Sequence, residues 1–240
     1  MPAHPDGLPE HPWRNLYGRR RGKALRPGQR RLMDELLPRL RVPGVAGPGD
    51  PERAPVDPGA LFPDGRRLWL EIGFGGGEHL VHQARSNPGL GLIGCEPYVN
   101  GVAMLLGRIA AEGIDNVRVH PGDARDLIEL LPEASVTRVF LLYPDPWPKA
   151  RHGRRRFMHP DNLAMLARVM PPGAELRLAT DIPDYVEHAL AAVATSGAFR
   201  LDARTGGDHA RPWPDWPGTR YEAKALRAGR RPHYLGFLRS

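Results

Sequence analysis

Four carboxylates carry most of the chemistry that this sequence can do. Asp145 stands in YPDPWPKARHGRRR (143–156), held between Pro144 and Pro146 beside Trp147, and Lys149, Arg151, Arg154, Arg155 and Arg156 follow at once. Prolines fix φ and remove backbone donors, so the run predicts a stiff loop, not a central strand or a helix interior. A rigid acid beside clustered cations can fix a cationic or hydrogen-bonding reactant next to a bound polyanion. Glu71 precedes four glycines, Gly73, Gly75, Gly76 and Gly77, in LEIGFGGGEHL (70–80). Glu96 closes GLIGCEP (91–97), and Asp123 stands in HPGDARDL (120–127).

The elements around these acids alternate between short apolar runs and segments with helical spacing. Strands are predicted at 67–73, 91–97, 116–123, 136–144, 175–181, 199–204 and 233–239, with helices at 77–87, 99–113, 124–132, 159–173 and 182–197. That alternation is the mark of an α/β, doubly wound, mostly parallel sheet with helices on both faces. Each of the four acids then falls at or beside the carboxyl end of a strand, where such sheets bind ligands.

The glycine run lies between a strand and a helix, where Gly73 and Gly75 let a ligand approach the backbone. A dinucleotide is disfavoured. Its fingerprint requires Gly or Ala at 78, where this chain has Glu78, and its pyrophosphate would meet Glu71 and Glu78. S-adenosyl-methionine carries no phosphate, and its ammonium and sulphonium are attracted by carboxylates. Glu71 fits that attraction, with a strand end that merely faces solvent as the plainer alternative. Glu96 has two oxygens for two ribose hydroxyls. Asp123 can accept from an adenine amino group or cap a helix; both roles fit. Cys95 is expected to be a packing residue on the opposite face of its strand.

The chain has 240 residues, 41% hydrophobic and 25% charged, with net charge +7 and a pI near 10.0. The basic excess favours a polyanionic partner. One cysteine cannot build a disulfide framework, and there is neither an apolar leader nor a run of the roughly 20 apolar residues that a membrane span needs. A cytoplasmic protein without a membrane partner is expected. No spacing of Cys and His matches a structural zinc site, so no metal is expected. Residues 1–12 read as a disordered tail. Residues 13–65 read as an arm with eight basic and no acidic side chains between Arg14 and Arg31, a helical segment at 30–40, and a Pro/Gly-rich linker from Val42 to Gly65 that builds no element. Residues 66–240 form the sheet domain.

The motifs LEIGFGGG, GCEP, PGDA, YPDPWPKARHGRRRF, LATDIPDY and TRYEAKALRAG together resemble those of the bacterial tRNA (guanine-N7-)-methyltransferases, from about Trp13 to the C-terminus. The resemblance implies a Rossmann-like class I fold and methyl transfer from S-adenosyl-methionine to N7 of guanine 46 in the tRNA variable loop, leaving S-adenosyl-homocysteine. It implies cofactor contacts from Glu71, Glu96, Asp123 and Asp145, with Asp145 also in the active site. Lys149, Asp181, Thr219, Arg220, Tyr221 and Glu222 match substrate-holding positions, and Arg151 to Arg156 match the RNA-contact segment. Ala150 departs from the pattern, which commonly has a second basic residue there. The Pro-rich tail and the long linker match nothing in a minimal member. tRNA is the implied partner, with no obligatory protein partner and a monomer or homodimer expected.

Guanine N7 already presents a lone pair, so the transfer needs alignment more than a base, and a locked Asp145 suits positioning. The cations after it can bind phosphates. Trp147 or Tyr143 can stack on the base or serve as packing. Asp181 can read the guanine edge or cap the helix after it, and Glu222 can accept from guanine N–H groups or lie on a surface helix. Two rival readings stand beside this one: a class I methyltransferase with another acceptor, which leaves the basic segments without a task, and a non-catalytic RNA binder.

Overall fold

Strands buried on both faces read as continuous apolar runs, and those runs form one seven-stranded sheet in the order β3-β2-β1-β4-β5-β7-β6. The computed structural model describes residues 18–47, 50–205, 207 and 209–240. The expected tail and the first residues of the arm, 13–17, lie outside them. In chain order the elements are α1 (Pro27–Glu35), α2 (Leu37–Leu40), α3 (Pro58–Leu61), β1 (Arg67–Ile72), α4 (Glu78–Ser86), β2 (Leu90–Cys95), α5 (Val99–Glu112), β3 (Val117–His120), α6 (Ala124–Leu130), β4 (Val136–Leu142), α7 (Pro160–Val169), β5 (Glu175–Thr180), α8 (Pro183–Ser196), β6 (Phe199–Leu201), α9 (Arg220–Arg227) and β7 (His233–Arg239). A 3-10 turn, Ala150–Arg155, lies between β4 and α7. β1 to β5 run parallel, and β7 is antiparallel to both β5 and β6.

Helices α4 and α5 cover one face through Leu80, Val81, Leu105 and Leu106, while α6, α7 and α8 cover the other through Leu127, Leu163, Leu166 and Tyr185. Each such side chain contributes roughly 1.5–3 kcal/mol by leaving water. The layers hold the strand ends in fixed register, which is what positions the acids.

Two expectations are corrected here. The segment at 42–65 is no wandering linker, because Val42, Val45, Val56, Leu61 and Phe62 are buried in the main core. Its prolines and glycines set the turns, the apolar residues between them bury, and Asp57 caps the one-turn helix α3 by accepting from Gly59 N–H at 2.8 Å. The helical stretch at 30–40 is two helices. Pro38 lacks the N–H that a continuous helix needs, and the chain breaks at Leu36.

Candidate active site

Connections leave β1 toward one face of the sheet and arrive at β4 from the other, so a crevice opens at the carboxyl ends of β1 to β4. It holds a cavity of about 440 Å³, in the range of small-molecule sites. The turn after β1 carries Gly73, Gly75 and Gly77 at φ of 72°, 57° and 76°, a left-handed backbone that favours glycine. Gly73 and Gly75 therefore present bare backbone to the cavity.

Glu96 meets that turn from β2. Its side chain is buried, and each oxygen accepts one backbone hydrogen bond: Oε2 from Gly75 N–H at 2.7 Å and Oε1 from Tyr98 N–H at 2.9 Å. Burial raises its pKa above the ordinary carboxylate value, and the two N–H donors act against that rise. Each oxygen retains a second lone pair for a hydroxyl on the cavity side. Asp123 lines the cavity as well, and it is also the cap of α6, accepting from Arg125 N–H at 3.0 Å and ion-paired with the Arg125 guanidinium at 2.5 Å. The helix-cap reading is realised without removing the carboxylate from the site.

Asp145 projects at the cavity mouth, from a loop more constrained than its prolines alone require. Tyr143 and Trp147 take φ of 49° and 42°, a region costly for non-glycine residues and kept only where the surroundings enforce it. Tyr143 N–H donates to Ala179 carbonyl at 2.7 Å, tying the start of the loop to β5. Arg156 ties the end: its Nε donates to Pro146 carbonyl at 2.9 Å, and its other nitrogens reach Trp147 carbonyl at 3.4 Å and the carboxylate and carbonyl of Asp184 on α8. At 5% exposure it is a clamp, which corrects its expected place in the RNA-contact segment. The 3-10 turn points Arg156 inward and leaves Lys149, Arg151 and Arg154 exposed. Arg155 lies over the Trp147 ring at 5.0 Å.

Three further acids are not where the sequence placed them. Ile72 lines the cavity, so alternation along β1 turns Glu71 the other way, under α4. There it is 2% exposed, with Oε2 2.7 Å from Nδ1 of His79, neither at the cofactor cavity nor facing solvent. Asp181 pairs with Arg230 at 2.5 Å, and the α8 start is served by Thr180 Oγ1, which accepts from Ile182 N–H at 3.2 Å. Glu222 forms a capping box with Thr219 at the start of α9, and it also accepts from Trp216 Nε1 at 2.9 Å and from Tyr234 hydroxyl. Its oxygens are engaged by the protein, so guanine recognition by Glu222 is not supported by this arrangement; Thr219 is likewise a helix cap.

Tyr221, from the same helix, lines the cavity, and Arg220 packs against the glycine turn without being part of the cavity wall. A methyl group at Gly75 would lie 3.1 Å from Tyr221 Cε2, and one at Gly76 would lie 3.0 Å from the Arg220 guanidinium. Tyr221 also stacks on Tyr143 with ring centroids 6.5 Å apart. Sequence reasoning missed several members of the cavity wall, among them Gly18, Arg19, Tyr98, Arg125, His159, Asp161 and Asn162. Arg125 and Tyr98 were legible as the residues two after Asp123 and Glu96; Gly18, Arg19 and the start of α7 depend on how distant segments dock. Cys95 is buried as expected, but it borders the cavity beside Glu96 instead of facing away from it. Among the described residues no cluster of His, Cys, Asp and Glu is arranged to hold a metal ion, and no helix is long and apolar enough to cross a membrane.

Residues 65–235 match the model of a family described as putative methyltransferases. A tRNA (guanine-N(7)-)-methyltransferase from Ruegeria pomeroyi is 61% identical over 96% of this chain and 97% of its own. One from Cereibacter sphaeroides is 60% identical over 95% of this chain and 92% of its own. Among solved structures, the 16S rRNA methyltransferase KamB superimposes with a TM-score of 0.53 at 17% identity, covering 75% of this chain and 94% of its own. That last likeness is one of fold.

Proposed function

This chain belongs to the tRNA (guanine-N(7)-)-methyltransferase family, and from that premise we propose that its cavity brings the methyl donor and guanine 46 of the tRNA variable loop together beside Asp145. The enzyme transfers a methyl group from S-adenosyl-methionine to N7 of a guanine in tRNA. The observation that carries the site assignment is convergence: Glu96 from the end of β2, the glycine turn after β1 and Asp145 after β4 line one cavity, with the cationic 3-10 turn at its rim.

The residues present fit the cofactor. Glu96 offers two acceptor oxygens for the ribose hydroxyls, Gly73 and Gly75 leave room for close backbone approach, and Asp123 lines the same cavity with its two oxygens shared with Arg125. The cofactor supplies an electrophilic methyl on a positively charged sulphur. Asp145 places a negative charge at the cavity mouth, to hold that charge close or to accept from guanine N–H groups. Guanine N7 carries no proton, so the chain need supply no base; the gain comes from alignment and from electrostatics set before the substrate arrives. Tyr143, Trp147 and Tyr221 offer aromatic faces at the mouth, suited to a base turned out of an RNA loop. A tRNA substrate supports a cytoplasmic location for the reaction.

The test is to incubate the protein with methyl-labelled S-adenosyl-methionine and unmodified tRNA, then map the product by cleavage at 7-methylguanine. Label is expected at the single variable-loop guanine, and label elsewhere or none would overturn the substrate assignment.

The exposed cations predict a separate result. Lys149→Ala with Arg151→Ala should weaken tRNA binding and reduce the log–log salt slope by about 0.7–0.9 for each phosphate that is no longer neutralised. Titration of tRNA at several salt concentrations checks this, and S-adenosyl-homocysteine affinity should stay unchanged. A cofactor affinity that fell instead would place the 3-10 turn in the cofactor site.

A further inference from the structure

Asn100, in the first turn of α5, has no part in the chemistry above, yet both polar ends of its side chain are engaged. Its Oδ1 accepts from Gly22 N–H at 2.8 Å and its Nδ2 donates to Lys23 carbonyl at 2.7 Å. Next to it Val99 N–H donates to Arg20 carbonyl at 3.0 Å. These three bonds seize the backbone of the basic arm and leave the side chains of Arg19, Arg20, Arg21 and Lys23 exposed. A methyl group at Gly22 would lie 2.1 Å from the Tyr98 hydroxyl and 2.9 Å from Asn100 Oδ1, so it would push directly on the docking site.

The docking site is continuous with the cofactor carboxylate: Tyr98 N–H donates to Glu96 Oε1 at 2.9 Å, and Tyr98 lines the cavity. At the arm's other end a methyl group on Gly18 would lie 3.7 Å from Asp145 Oδ2, and Gly18 and Arg19 form part of the cavity wall. The arm thus runs from the Glu96 loop to the Asp145 loop across the mouth. Gly18 and Arg19 wall the cavity while the side chains of Arg20, Arg21 and Lys23 stay exposed outside it.

We propose that Asn100 is a positioning residue that docks the basic arm across the cavity mouth, and that the docked arm couples tRNA binding to cofactor binding. The proposal rests on the reading that the cavity takes S-adenosyl-methionine and that the arm's cations take tRNA phosphates. Phosphates gathered by Arg19 to Arg21 favour the arm in its docked place, and the docked arm completes the wall beside Glu96. Linkage makes the effect reciprocal: each ligand tightens the other by the same factor.

The test measures S-adenosyl-homocysteine affinity by calorimetry with and without saturating unmodified tRNA, for the wild-type chain, Asn100→Ala and Gly22→Ala. The wild-type protein should bind the nucleoside at least about 5-fold more tightly with tRNA present, a gain at the lower end of usual couplings. In both variants the ratio should fall toward one, with the thermal midpoint unchanged. A wild-type ratio of one, or variants that keep the wild-type ratio, would overturn the coupling while leaving the site assignment intact. Failure of the wild-type chain to bind S-adenosyl-homocysteine at all would instead overturn the site assignment. Should Asn100→Ala lower the thermal midpoint, Gly22→Ala decides, because its added methyl meets Tyr98 and Asn100 and the ratio with and without tRNA cancels any direct effect of Tyr98 on the cavity.

Discussion

Asp145→Ala is expected to lower the rate of methyl transfer by about 10²- to 10³-fold at saturating tRNA and cofactor, the usual loss when one preorganised electrostatic group is removed. Asp145 sits on the cavity wall between two prolines, so its removal leaves the cavity and the exposed cations in place. The affinity for tRNA should therefore stay close to wild type. Single-turnover transfer of a labelled methyl group separates this from slow product release. Asp145→Asn refines the role, because Asn keeps the shape and one acceptor oxygen while losing the charge. Recovery of most of the rate in Asp145→Asn assigns a hydrogen-bonding role; a rate as low as that of the Ala variant assigns the charge. Unchanged single-turnover transfer in Asp145→Ala would remove this residue from the mechanism.

The sequence exposed the parts of this site that depend on local chain chemistry. A glycine run between strand and helix, an acid closing the second strand and a proline-locked acid after the fourth each declare themselves within a few residues, and the cavity contains all three. What it hid depends on partners far along the chain. Glu222 reads as a free carboxylate until Tyr234 comes to it from β7, and Asp181 until Arg230 reaches it. Glu71 was misplaced for a different reason: one step along a strand reverses the face, and only the sheet's final packing shows which face holds the ligand. The segment at 42–65 shows composition misleading at larger scale. Proline and glycine argue against regular elements, not against burial, and Val42, Val45, Val56 and Phe62 bury from irregular chain as effectively as Leu61 does from α3. The docked arm was hidden because backbone atoms make most of its contacts, and backbone atoms are the same in every residue.

Arg156 carries the second large prediction, and it separates two arginines that look alike in sequence. Its planar guanidinium reaches Pro146 and Trp147 carbonyls and Asp184 at once, and it lies over the Tyr185 ring at 5.3 Å. Lysine presents a point charge with no fork, so Arg156→Lys cannot satisfy these groups together. The left-handed conformation of Trp147 costs of order 1–3 kcal/mol and needs such enforcement. With the clamp loosened, Asp145 shifts from its aligned position. A displacement of about 1 Å near a reacting centre can cost 10²-fold in rate, and a loss of that order is expected in kcat for Arg156→Lys. tRNA affinity and its salt slope should hold at wild-type values, because this guanidinium faces the protein and not the RNA. Arg156→Ala should also destabilise the fold by about 1–3 kcal/mol, mainly from loop carbonyls left without donors. The ion pair with Asp184 adds little, since the Asp184 side chain is 68% exposed. The measurement is kcat, tRNA Kd and salt slope on the same preparation. A variant with weakened, salt-insensitive tRNA binding and full kcat at saturation would make Arg156 a phosphate contact, and the stiffness of the Asp145 loop would then have to come from its prolines and the Tyr143 tether alone.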